Sequence, residues 1–229
     1  MSRQGSLDLL YEVDENLRAI KESNQIKPVK VKSILEHLRS ALEYVANDSY
    51  DKCVYPPDAE RPKIYFPYGK KEFIDKFFRQ RLKINEPTSS PLYDIFIGIQ
   101  DYNTDQPFLE MMCGLTNEVK HRQPIPFEEE KTVKDISVNI GGLGLLGAGT
   151  NSTIIFKNNV IDGIKIEDFR LENGNLEKSG NGYPVNLVIT EEKKIRFHGM
   201  DYEVIPFLEL CLSSITNFVN NAYDILESI

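Results

Sequence analysis

The sequence predicts an α+β protein: a helical bundle over residues 1–125, an antiparallel β-rich layer over 132–203, and a C-terminal helix over 205–229 that returns to the bundle. Three observations predict it. Before residue 125 apolar residues recur at helical spacing, as in Ile34, Leu35, Leu38, Leu42 and Val45. After residue 130 they alternate with polar ones, as in Ile136, Val138 and Ile140. Near Pro206 the helical period returns through Leu208, Cys211, Ile215, Phe218 and Val219.

The elements follow in order. Ser6 is placed to cap a first helix with Leu10, Val13, Leu17 and Ile20 on one face, ending near Asn24 before Lys27-Pro28. A second helix covers residues 29–46. A loop holding Pro56-Pro57 and Pro62 leads to a short extended piece, Ile64-Tyr65-Phe66-Pro67. A third helix covers 70–82, with Phe73, Ile74, Phe77, Phe78 and Leu82 as its apolar stripe. A short apolar helix follows over 91–100. Asp105 is placed to cap a fifth helix, with Pro107 in its first turn, which runs to His121. Beyond it Glu128, Glu129 and Glu130 read as a solvated loop. Strands are expected at 153–156, 163–166, 185–189 and 195–197, with Asn158-Asn159, Asn173-Gly174 and Asn181-Gly182 as turns between them.

Composition narrows the function. The 229 residues are 41% hydrophobic and 27% charged, enough for a real core, and the net charge of -8 argues against a surface that grips nucleic acid everywhere. The charge is uneven: residues 27–83 carry 13 basic and 8 acidic residues, the remainder 14 and 27. Solvated helix faces explain this plainly; a phosphate-attracting surface is the sharper reading. The three cysteines form no C-x-x-C pair, which argues against a disulfide framework or a zinc knuckle. No apolar stretch has the length of a leader or a membrane span, so a cytoplasmic protein without membrane contact is expected. No metal is expected, because no H-x-x-x-H, H-E-x-x-H or Cys/His cluster occurs. No cofactor is expected either. Gly142, Gly144 and Gly147 spell G-x-G-x-x-G, but a turn and a β-branched strand follow where the dinucleotide fingerprint needs a helix. An apolar Gly-rich hairpin is the expectation there.

The candidate site lies on the fifth helix. Phe108, Met112, Leu115 and Val119 share one face, and Glu110, Gly114, Asn117 and His121 form a stripe opposite. A glycine in such a stripe costs roughly 1 kcal/mol of helix stability against alanine, so something is expected to approach the backbone at Gly114. Asn117 offers a bidentate amide, His121 a group that changes protonation near neutral pH, and Lys120 and Arg122 flank the histidine. This set suits holding a phosphate, or positioning a ribose hydroxyl with the histidine as base or acid. It equally suits hydrogen bonds to a neighbouring loop or a second subunit. On the second helix His37, with Ser40 and Tyr44 on the same flank, is placed either to face that cleft or to stand as a partly exposed helix histidine.

His37-Leu38-Arg39-Ser40-Ala41-Leu42-Glu43-Tyr44, Phe66-Pro67 and Leu115-Thr116-Asn117-Glu118-Val119-Lys120-His121-Arg122 together resemble a group of uncharacterised bacterial proteins. In these an N-terminal HEPN-like helical part precedes a β-rich part. The resemblance implies a helical bundle of the kind found in toxin–antitoxin and antiviral defence systems. Active HEPN members are metal-independent RNases that carry arginine, a polar residue, three residues and then histidine on one helix, and two such helices meet across a dimer. Asn117 and His121 match the polar residue and the histidine; the arginine position is Thr116. The resemblance therefore implies a homodimer that binds RNA or another phosphate-bearing ligand at a shared cleft through Asn117 and His121, without cleavage through the ribose 2′-hydroxyl; Lys120, Arg122, His37 and Tyr44 are expected beside them as further ligand-binding residues. The alternative is a non-enzymatic protein-interaction module that uses the Gly114 stripe and the β layer as interfaces.

Overall fold

The computed structural model describes residues 3–54, 60–121, 125–140, 145–148, 152–172 and 175–229; the side chains of 119–121, 132, 134, 145, 146, 148 and 191 are not described. The helices are α1 (Arg3–Ser23), α2 (Pro28–Cys53), α3 (Lys71–Lys76), α4 (Pro91–Gly98), α5 (Leu109–His121) and α6 (Val204–Ser228). Between α5 and α6 come β1 (Phe127–Asn139), β2 (Leu145–Ala148), β3 (Thr153–Phe156), β4 (Val160–Ile161), β5 (Ile164–Lys165), β6 (Phe169–Glu172), β7 (Asn175–Lys178) and β8 (Asn186–Phe197). The protein is α+β, and α6 packs against α1 and α2 as the returning C-terminal helix. Two compact units divide the chain: Met1–Glu128 with Ile195–Ile229, and Glu129–Lys194.

In the helical unit Asn24 takes the left-handed conformation (φ 50°) that ends α1, and Pro28 opens α2 where its missing N–H costs nothing. Leu10, Val13, Leu17 and Ile20 of α1 are buried, as are Ile34, Leu35, Leu38, Leu42 and Val45 of α2. Ser6 is not a cap. It lies a turn inside α1, buried, with its Oγ 3.3 Å from the Tyr223 hydroxyl. That hydroxyl donates to Asp48 Oδ2 at 2.8 Å, so α1, α2 and α6 share one buried polar contact. α2 runs past residue 46 to Cys53 because Tyr50 and Val54 extend its buried side.

The third helix departs from its expected form. After α3 the chain widens into a π turn, Phe77–Arg81, in which the Leu82 N–H donates to the Phe77 carbonyl at 3.1 Å. The wider turn buries the adjacent residues Phe77 and Phe78 together, whereas Phe73 of the expected stripe is 54% exposed. Phe96 of α4 is the hub of the resulting aromatic core. Its ring centroid lies 5.4 Å from Phe66, 5.6 Å from Phe77, 5.4 Å from Phe78 and 5.3 Å from Phe218. Edge-to-face and offset pairs at these separations stabilise beyond their buried area.

The β unit has its own core of Ile136, Val138, Ile140, Ile166, Phe169, Leu171 and Val185. Its strands order as β2-β1-β8, β3-β6-β7 and β4-β5. β1 and β2 are antiparallel, with Ile136 opposite Ala148 and Asn139 opposite Leu145. The turn at Asn173-Gly174 lies outside the described residues, as do Gly142 and Gly144 of the Gly-rich run, whose Gly147 belongs to β2. Glu128, Glu129 and Glu130 belong to β1 rather than a loop: Glu128 pairs with His198 and Glu129 with Lys193. The two strands expected at 185–189 and 195–197 are one, β8. Asp162 and Gly163, both with positive φ, form the two-residue turn between β4 and β5. Gly182 (φ +131°) lies so close to Ile166 and Glu167 that a Cβ there would come within 2.7 Å of the Glu167 amide. Among the described residues no helix is long and apolar enough to cross a membrane. Nor does any group of three or more His, Cys, Asp or Glu among them form a site for a metal ion.

Candidate functional site

α5 is held at its start by a residue well upstream of it. Both oxygens of Asp101 accept backbone N–H groups, Oδ1 from Phe108 and Leu109 and Oδ2 from Glu110, each at 2.8 Å. These are donors that the first turn of a helix leaves without intrahelical partners, and a carboxylate also complements the positive end of the dipole. Asp105, the expected cap, is exposed; the helix begins at Leu109, after Pro107.

The packed face of α5 follows from its period. Phe108, Leu109, Met112, Cys113, Leu115 and Thr116 are buried. Glu110, Gly114 and Asn117 are exposed, so this part of the stripe reaches the surface. A Cβ at Gly114 would meet nothing within 4 Å. Thr116 is 2% exposed, and its hydroxyl donates to the Met112 carbonyl at 2.7 Å. Thr116 thus faces the core, one residue and about 100° of helix away from Asn117.

A guanidinium is nevertheless close by, contributed by α2. Arg39 lies with its Cζ 4.9 Å from the centroid of the Tyr68 ring. Its Nε donates to Glu43 Oε1 at 2.8 Å and its Nη1 to Cys113 Sγ at 2.5 Å. The other Glu43 oxygen, Oε2, accepts the Phe66 N–H at 2.6 Å, which ties the extended piece before α3 to α2. Tyr68 completes the link to α5: its hydroxyl accepts from Asn117 Nδ2 at 3.4 Å. Burial works against the charge on Arg39, but Cys113 and Glu43 hold its pKa above the ordinary arginine value, so the guanidinium is cationic throughout. Burial likewise pushes the Cys113 thiol up to about 11, against the pull of Arg39.

Of the residues expected at the site, Asn117 is exposed on the outer face of α5 and bonded to Tyr68. His121 closes α5, but its side chain and that of Lys120 lie outside the described residues, as does the whole of Arg122. His37 and Tyr44 share a flank of α2, roughly 160° and 140° round the helix from Arg39. The turn of α2 that meets Cys113 therefore presents Arg39 and Glu43 toward α5 rather than His37. His37 Nδ1 is buried without a hydrogen-bond partner among the described residues, and Tyr44 is 40% exposed. Arg39, Glu43, Tyr68 and Cys113 were not legible as site residues. The only local signal was the i, i+4 pair Arg39 and Glu43, which reads as ordinary helix surface.

No family model, no curated protein and no solved structure matches the chain. What the cluster offers chemically is a set of hydrogen-bonding groups, the exposed Asn117 amide and the Tyr68 hydroxyl, backed by a fixed cation. Such groups can orient a phosphate or a ribose hydroxyl.

Proposed function

We propose that the helical unit is a HEPN-like module of a bacterial nucleic-acid-handling or defence system. It binds RNA or another phosphate-bearing ligand on the outer face of α5 and does not cleave it, and it works as a cytoplasmic homodimer. The observation that carries the non-cleaving part is the burial of Thr116. In an active motif that position supplies a cation to the scissile phosphate; here it lies in the bundle core, and its hydroxyl donates to the Met112 carbonyl of its own helix. Arg39 supports binding, because its charge is fixed over the ring of Tyr68, whose hydroxyl bonds Asn117, but three partners already hold it.

The test is incubation of the chain with labelled RNA in EDTA, scored for both binding and cleavage. Binding without cleavage is expected, weakened by Asn117→Ala and by Lys120→Glu with Arg122→Glu. The slope of log affinity against log salt should become shallower by about 0.7 for each single-strand phosphate that the protein no longer neutralises. EDTA-resistant cleavage that disappears in His121→Ala would overturn the non-cleaving reading.

One observation favours a second reading. Gly114 is exposed in mid-helix, and among the described residues nothing lies within 4 Å of where its Cβ would be. A second copy or a partner protein packed there would account for the glycine, with the β unit as a further interface. If RNA binding is absent and Gly114→Leu dissociates a dimer, the interaction reading holds.

A further inference from the structure

The basic excess of the helical unit is concentrated. Residues 60–83 carry eight Lys or Arg and three Asp or Glu, whereas residues 27–59 carry five of each. Arg61 is paired with Asp51. Lys63, Lys70, Lys71, Lys76, Arg79 and Arg81 are all exposed and form no ion pair among the described residues. Of the carboxylates on this stretch, Asp75 is taken up by the Tyr93 hydroxyl at 2.5 Å.

Two large aromatic rings lie among these cations. In the extended piece Ile64 and Phe66 are buried at 6% and 2%, so the alternation turns Tyr65 outward at 64% exposure. Phe73, on the first turns of α3, is 54% exposed although the helix offers it a core on the other side, where Ile74 sits at 0%. A single exposed ring needs no explanation. Here both line the same recess, together with Lys63, Lys76, Gln80 and Arg81. The π turn helps to shape it: Phe77 and Phe78 go inward while Gln80 and Arg81 remain on the outside. The recess holds about 160 Å³, too little to enclose a typical small-molecule ligand. It is a surface, and its chemistry is open π-faces interleaved with unpaired cations.

We propose that this face, the extended piece with α3 and the π turn, binds single-stranded nucleic acid. Bases stack on Tyr65 and Phe73, and Lys63, Lys76 and Arg81 contact the phosphates. Stacking requires bases with a free face, which a duplex does not offer, and the cations gain from counterion release whatever the net charge of the protein. An acidic peptide would use the cations and leave the two rings without a role. A lipid surface would need a longer apolar helix face than the six residues of α3 present. The proposal rests on the preceding reading only for the ligand class, and its residues are not those of α5.

The experiment measures anisotropy of a short labelled single-stranded RNA, and of the same sequence as a duplex, against the full-length chain. Tyr65→Ala and Phe73→Ala should each weaken single-strand binding about tenfold, and Phe73→Tyr, which keeps a ring, should not. Lys63→Glu with Lys76→Glu and Arg81→Glu should reduce the salt slope by about 2. Every substituted side chain is exposed, so far-ultraviolet circular dichroism should be unchanged in each variant. If RNA binding responds to Asn117→Ala but not to these variants, the proposal falls and the α5 reading stands. Loss of binding in these variants with Asn117→Ala silent does the reverse. Equal affinity for the duplex, or comparable binding to phosphatidylserine vesicles or polyglutamate, overturns the stacking surface. No RNA binding by the wild type overturns both.

Discussion

Replacing Asp101 with alanine removes the cap of α5 and tests what holds the candidate site in place. Three N–H groups lose one acceptor carboxylate at 2.8 Å each. An N-cap side chain contributes about 0.5–2 kcal/mol. The upper end applies here, because the Phe108 and Leu109 amides are partly buried and water replaces the carboxylate poorly. A loss of about 2 kcal/mol against a urea m-value of about 2 kcal/mol/M moves the unfolding midpoint down by about 1 M. Asp101→Asn should lose roughly half as much, since it keeps one oxygen for Phe108 and Leu109 but turns an NH₂ toward the Glu110 N–H. Asp105→Ala is the control, and at an exposed position it should stay within about 0.5 kcal/mol of wild type. Urea unfolding followed by circular dichroism reads all three. A shift below about 0.3 M for Asp101→Ala, or an equal shift for Asp105→Ala, would refute the capping argument.

Three further outcomes are expected. Phe96→Ala empties the hub of the aromatic core and should cost about 3–5 kcal/mol, read as a large fall in thermal midpoint; a loss under about 1 kcal/mol contradicts the packing described. Gly182→Ala forces a Cβ against the backbone of Ile166 and Glu167 at positive φ, and should cost more than about 1 kcal/mol. Hydrogen exchange should then quicken within 129–194 and remain unchanged in α1 and α2; a uniform change would count against it. The Cys113 thiol is raised in the fold from 9.0 to about 11, so its contribution to stability is complete below pH 9 and is lost as pH rises through about 11. The urea midpoint should fall over that window, and Cys113→Ala should flatten part of the fall; an unchanged profile shows that burial of Cys113 is not linked to unfolding.

The site was harder to read than the fold, and the reason is geometric. A stripe such as Glu110, Gly114 and Asn117 follows from helical period alone, and all three residues are exposed where the period puts them. Period also places Thr116 about 100° from Asn117, toward the core. The partners of that stripe, however, come from distant segments. Tyr68 is 49 residues from Asn117, and Arg39 is 74 from Cys113. No local pattern relates such positions. Capping shows the same limit. Asp105 and Asp101 are equally plausible caps by type, and only the path of the chain through Pro107 decides that Asp101 reaches the first turn of α5.

By itself the order of residues determined the α+β class, the amphipathic faces of α1, α2, α5 and α6, and the period-2 burial of Ile136, Val138 and Ile140. Those features arise from side-chain spacing on a single element, a short-range property that solvent exclusion acts on directly. Tertiary structure alone decided that Ser6 serves a buried contact with Tyr223, that Phe77 and Phe78 turn inward together through a π turn, and that Arg39 stands beside Tyr68 near Asn117. Each of these depends on which remote groups compete for the same volume or the same hydrogen bond, and packing settles that competition only once the whole unit has closed.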